Sequence, residues 1–190
     1  MILSAKKVLE LNEKYNFIEQ LSDREKSNPE GVGIDVRVSQ VFRLTSDGFL
    51  GIEDRKSPDV QRVADIAKDK FIVLNPDDFV LVKTLEKVNL PAEKVVIEEE
   101  MKPCILMVQV YPRTSLHRSG IQFFGTKIDP GYSGELTFAL KNVSSVYFKL
   151  ELGARIANLV FHTVLGELSR PYEGQWQGGR VHTEGVEKQN

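Results

Sequence analysis

The spacing of the apolar residues constrains this chain more than any other feature. In Ile34-Asp35-Val36-Arg37-Val38-Ser39 every second residue is apolar, the period of a strand with one buried face. The same alternation returns where Leu136, Phe138 and Leu140 interleave with Glu135, Thr137, Ala139 and Lys141. It returns again at Val146, Phe148, Leu150 and Leu152. Apolar runs at 71–74, 79–85, 104–111 and 156–164 are parted by turn residues such as Asn75-Pro76-Asp77-Asp78. Many short strands without long helices between them predict a mainly β domain, a distorted barrel or jelly-roll-like sandwich. The start departs from this pattern: Ser4 stands as an N-cap before Val8, Leu11 and Tyr15, which predicts a short N-terminal helix.

The rest of the chain is punctuation. Residues 22–33 are polar and broken by Pro29, Gly31 and Gly33, and read as a loop. Residues 46–70 are charged, hold Pro58, and read as loop with one helical turn at 60–66. The β domain is expected over 1–168. The Gly- and Gln-rich tail, 169–190, should be mobile unless something orders it, and is free to close over a site. Composition then limits the chemistry. Cys104 is the only cysteine and there are three histidines, which excludes an internal disulfide and a Cys-rich zinc site. His117, His162 and His182 show no metal-ligand spacing, Glu98-Glu99-Glu100 reads as a solvated turn, and Cys104 as a buried thiol. Twenty-five basic against 27 acidic residues give a net charge of −2. That balance argues against a globally basic nucleic-acid binder. No run approaches the ~18 apolar residues of a membrane span, and the first residues do not read as a signal peptide. A soluble, cytoplasmic protein is expected.

Three segments carry chemistry. Pro112-Arg113-Thr114-Ser115-Leu116-His117-Arg118-Ser119-Gly120 packs two arginines, hydroxyls and turn N–H groups behind an apolar strand. Such a turn can hold an anion, and it can equally be a solvated turn with an ordinary helix cap. Ile128-Asp129-Pro130-Gly131-Tyr132-Ser133-Gly134 places a carboxylate and an aromatic face on either side of a Pro-Gly turn. It reads as a sugar-hydroxyl or water contact, or as an Asx-type turn with a packing tyrosine. Arg170-Pro171-Tyr172-Glu173-Gly174-Gln175-Trp176-Gln177-Gly178-Gly179-Arg180 holds the single tryptophan. It reads as a lid that stacks on a base while Arg180 reaches a phosphate, or as a tail packed on a neighbouring subunit.

In this order the segments resemble the dCTP deaminase/dUTPase superfamily, most closely its deaminase branch. The resemblance also takes in Gly33-Ile34-Asp35-Val36-Arg37, Glu86-Lys87-Val88-Asn89-Leu90-Pro91 and Leu152-Gly153-Ala154-Arg155-Ile156-Ala157-Asn158. It implies a dUTPase-type (β-clip) fold, a homotrimer with active sites between subunits, and a pyrimidine deoxynucleoside triphosphate, dUTP or dCTP, as ligand. Mg²⁺ would be held mainly by the phosphates, with no protein metal site. By resemblance, Arg113, Thr114 and Ser115 bind phosphates and Arg118 orients the reactive water. Asp129 binds the 3′-hydroxyl, and in dUTPases the matching Asp activates water. Tyr132 sits against the deoxyribose and leaves no room for a 2′-hydroxyl, while Gly125 and Thr126 lie on the hairpin that reads the base. Tyr172, Trp176 and Arg180 belong to the lid.

The departures shape the expected activity. Deaminases of this family carry a general acid/base Glu ten residues past the Asp, and here that position is Ala139. Deamination needs a group that takes a proton from water and delivers one to the departing amine. Glu135 shares the strand face but lies four positions earlier, roughly 13 Å away at the rise of a strand. In the tail Gln175 and Gly179 replace the family's usual Lys and Gln, and Phe123 and Phe124 stand on the hairpin where small or polar residues are common. The expected activity is therefore dUTP diphosphatase, with Asp129 activating water. A dCTP deaminase and a catalytically silent nucleotide-binding protein are the alternatives.

Overall fold

The computed structural model describes residues 1–189; Asn190, the last residue of the tail, lies outside the described residues. Helix α1 (Ala5–Tyr15) starts where Ser4 Oγ accepts the Lys7 N–H at 3.2 Å, and ends at Asn16, which takes the left-handed conformation. Val8 and Leu11 turn its apolar stripe into the core. Strand β1 (Ile18–Glu19) follows. The loop expected at 22–33 contains helix α2 (Asp23–Ser27), where Ser22 Oγ accepts the Glu25 N–H at 3.2 Å. Ser22-Asp23-Arg24-Glu25 has the spacing of a capping box, and that signal outweighs the polar composition.

Strand β2 (Gly33–Leu44) begins the main sheet. The segment expected to be loop holds three strands, β3 (Phe49–Leu50), β4 (Asp54–Lys56) and β5 (Val60–Asp65). The helical turn expected at 60–66 is absent. β5 instead pairs antiparallel with β2, Ala64 opposite Val41 and Val60 opposite Leu44. The free edge of β2 and the β-branched Val60 and Val63 favour pairing over a local turn.

The remaining elements are β6 (Phe71–Leu74), β7 (Phe79–Asn89), β8 (Ile105–Pro112), α3 (Thr114–Arg118), β9 (Ile121–Phe124), β10 (Lys127–Ile128), β11 (Ser133–Asn142), β12 (Phe148–Glu151), β13 (Arg155–Val164) and β14 (Glu187–Lys188). The nine-stranded main sheet runs β10-β8-β13-β2-β7-β11-β9, with β1 added on β7 and β5 on β2. β6 pairs with β12, and β3, β4 and β14 form a separate ribbon. The molecule is mainly β, as its apolar period predicts. Every second residue of β11 is buried, the pattern of a sheet curled around one core. Register shifts between Val38 and Gln40 in β2, and between Glu135 and Thr137 in β11, supply curvature. Glu86 is wholly buried and accepts from Arg37 N–H at 2.7 Å and Arg37 Nε at 2.6 Å. Burial pushes its carboxyl above the usual range despite that partner. Among the described residues no helix is long and apolar enough to cross a membrane.

Candidate active site

Strand β10 presents the first candidate residues. Ile128 lies opposite Val108 of β8 and is buried, so Lys127 and Asp129 fall on the other side of the strand. There the Lys127 ammonium donates to the Asp129 carboxylate. The chain then turns at Pro130-Gly131: the Tyr132 N–H reaches the Asp129 carbonyl at 3.2 Å, and the Gly131 N–H the Leu90 carbonyl at 2.8 Å. Gly131 has φ +94°, a conformation that other residues rarely adopt. Tyr132 is buried, its hydroxyl donates to the Glu135 carbonyl at 2.5 Å, and burial pushes its pKa upward. It is a fixed, neutral aromatic wall.

The tail lies across this turn. The Tyr172 N–H donates to the Pro130 carbonyl at 2.8 Å, and the Tyr172 ring meets Tyr132 edge-on at 5.6 Å. Gln177 accepts the Ser133 N–H at 2.9 Å and donates to the Gly131 carbonyl at 2.7 Å. The Gly178 N–H donates to the Ser133 carbonyl at 2.8 Å. Backbones can approach this closely because a Cβ on Gly134 would sit 2.2 Å from the Gly179 nitrogen. Turn, tail and hairpin enclose a cavity of about 420 Å³, within the size range of small-molecule sites. Thr126, Asp129, Tyr132, Tyr172, Trp176 and Arg180 all line it. Gly125 is not one of its walls: it bends the hairpin, and a Cβ there would sit 2.4 Å from the Phe123 ring.

Arg113, Thr114 and Ser115 line a second cavity of about 340 Å³. The Arg113 N–H donates to the Ile156 carbonyl at 3.0 Å, and its guanidinium to Asp35 at 2.5 Å. Asp35 also accepts from Arg155 at 3.0 Å and Asn158 at 2.9 Å. The two cavities share no lining residue. Alternation along β8 separates them, with Val110 facing the first and Tyr111 the second. One chain therefore does not bring the Arg113 loop together with Asp129 and Tyr132. Arg118 is exposed on α3 and has no ion-pair partner among the described residues. Ala139 lies opposite Leu81 and Phe124, on the face that carries Glu135 and Thr137. Glu135 pairs with Lys83 at 3.4 Å.

Lys127 and Asp35 are site residues to which the sequence reading gives no role. Lys127 was detectable, two positions before Asp129 on a strand. The Asp35–Arg113 contact spans 78 residues and carries no local signal.

A curled β sheet, an Asp-Pro-Gly-Tyr turn and a tail laid over it define a β protein built around a small-molecule cavity. Comparison makes this specific: the dCTP deaminase-like family model matches residues 2–164, and the chain belongs to that family. It is 31% identical over 151 residues to the "dCTP deaminase, dUMP-forming" of Kocuria rhizophila, covering 77% of this chain and 72% of that protein. It is 30% identical over 117 residues to the dCTP deaminase of Pyrococcus furiosus, covering 62% of this chain and 67% of the other. The 2′-deoxycytidine 5′-triphosphate deaminase of Agrobacterium tumefaciens superposes with a TM-score of 0.60 at 16% identity over 84% of this chain. This chain spans 46% of that one, and the likeness shows the shared fold. These relatives overturn the expectation of a dUTP diphosphatase. That expectation weighted one missing side chain, at Ala139, above the compact Arg113–Gly120 loop, and the relatives that share the chain's overall sequence are named for dCTP deamination.

Proposed function

We propose that the protein binds dCTP and deaminates it. The observation that carries this is the meeting of Asp129 and Tyr132 on one cavity under Tyr172, Trp176 and Arg180. In this reading the Asp129 carboxylate accepts the 3′-hydroxyl, with Lys127 holding it in place. The Tyr132 ring packs against the deoxyribose and excludes a 2′-hydroxyl. The hairpin at Gly125 and Thr126 reads the base, and Trp176 stacks over it. Arg180 reaches the phosphates from the tail.

The triphosphate then requires the Arg113-Thr114-Ser115 loop, which opens on a different cavity of the same chain. A second copy supplies that loop in a homotrimer with sites between subunits, and its Arg118 orients the water that adds at C4. The charge on the triphosphate calls for Mg²⁺. Phosphate and water oxygens would supply most of its ligands.

Addition of water at C4 and departure of ammonia require a proton to move between them. At Ala139 the strand offers no group to carry it. That side chain favours a second reading, a nucleotide-binding protein that does not turn over. Incubation with dCTP, dUTP and dTTP plus Mg²⁺, with ammonia and nucleotide products followed together, separates the two. Ammonia from dCTP supports the first reading. Tight dCTP binding without product supports the second, and no binding of any of the three contradicts both.

A further inference from the structure

Residues 49–57 hold the tail from outside the sheet that builds the first cavity. β3 and β4 pair with Leu50 opposite Arg55, and β14 adds to the free edge of β4 with Glu187 opposite Arg55. The Gln189 N–H donates to the Glu53 carbonyl at 2.7 Å. Ser57 Oγ accepts the Thr183 N–H at 2.7 Å and lies 2.9 Å from the Thr183 hydroxyl. Thr183 is 1% exposed, although it sits in a polar tail only a few residues from the end of the chain.

Between this anchor and the Gln177–Ser133 contact lies Arg180, and Trp176 stands one residue before Gln177; both line the cavity. Arg180 donates to Glu187 at 3.0 Å, so it is tied to the strand that the ribbon captures. Trp176 and Val181 face both the cavity and an apolar groove formed by Leu44, Phe49 and Pro58. Without the ribbon, Trp176 would lose the groove it faces and Arg180 its tie to β14, with the entropy cost of ordering both side chains falling on the ligand.

We propose that the β3–β4 ribbon is a clasp, and that Ser57 and Thr183 are positioning residues that set Trp176 and Arg180 over the cavity before substrate arrives. The proposal rests on reading the first cavity as the dCTP site. Its test has a readout independent of turnover, because Trp176 is the only tryptophan in the chain. In the full-length Ser57→Ala protein, acrylamide quenching of Trp176 should rise about twofold, with unchanged far-ultraviolet circular dichroism. KM for dCTP should rise about five- to tenfold with kcat nearly constant, the pattern of lost binding rather than lost chemistry. Thr183→Ser keeps the backbone N–H and the hydroxyl and should behave as wild type. A chain ending at Gly185, which lacks β14, should shift quenching in the same direction as Ser57→Ala and decides the matter if that variant misfolds. Quenching of Trp176 equal to wild type, in both Ser57→Ala and the shortened chain, overturns the clasp. Absence of ammonia release from the wild type counts against the dCTP reading alone, since the quenching comparison still decides the clasp.

Discussion

At the scale of single residues the protein turns on Ala139 and Tyr132. Ala139 leaves a methyl group on the strand position where the family's acid/base carboxylate is expected. General acid–base groups contribute about 10²–10⁴ in rate, so Ala139→Glu should raise ammonia release from dCTP by about that factor in an otherwise unchanged fold. A folded variant that binds dCTP and releases no more ammonia than wild type would show that β11 is not where the proton moves. Tyr132 makes a stability prediction. Its folded pKa is raised by burial, while the unfolded chain keeps a value of about 10. The raised value favours the protonated phenol in the folded state. The stability it supports is full below about pH 10 and is lost as pH climbs toward the folded value. Thermal melts from pH 9 to 11 should therefore fall more steeply for wild type than for Tyr132→Phe. The Asp129–Tyr132 pair was legible in the sequence because a Pro-Gly turn is local. The hold of Asp35 on Arg113 was not, because it joins β2 to the end of β8.

At the scale of elements, alternation located most of the strands, and a serine located α1. It failed where an element owes its form to a partner. β5 reads as a helical turn until β2 lies beside it, and β3, β4 and β14 are too short to show any period. The tail has the same character: its path is set by glycines at the crossing rather than by its own preferences. Gly134 has φ +151° and faces the Gly179 nitrogen, so Gly134→Ala must push the tail away from the turn. Backbone strain of this kind costs about 1–3 kcal/mol. The expected result is an unfolding free energy lowered by about that amount, read as a lower urea midpoint, together with a more exposed Trp176. A midpoint and an emission spectrum both equal to wild type would show that the tail does not depend on this crossing.

At the scale of the whole molecule, two half-sites open on different cavities of one chain, and the proposed trimer joins them. The period of the strands could not show this, because it gives a buried face to each strand and says nothing of which copy completes a pocket. The prediction is complementation. Asp129→Asn and Arg113→Ala chains, each inactive alone, should regain activity when unfolded and refolded together. Random mixing of two chains in equal amounts leaves both halves intact at about a quarter of the sites between subunits. No recovery in mixed oligomers would place both halves within one subunit. The central claim, that dCTP is deaminated at the cavity holding Asp129 and Tyr132, is tested most directly with dCTP carrying ¹⁵N on its 4-amino group, followed by NMR in the presence of Mg²⁺. The account predicts ¹⁵N-ammonium from the wild type, slow and accelerated by Ala139→Glu. Label that stays on the cytosine ring in both proteins, under saturating dCTP, would contradict it.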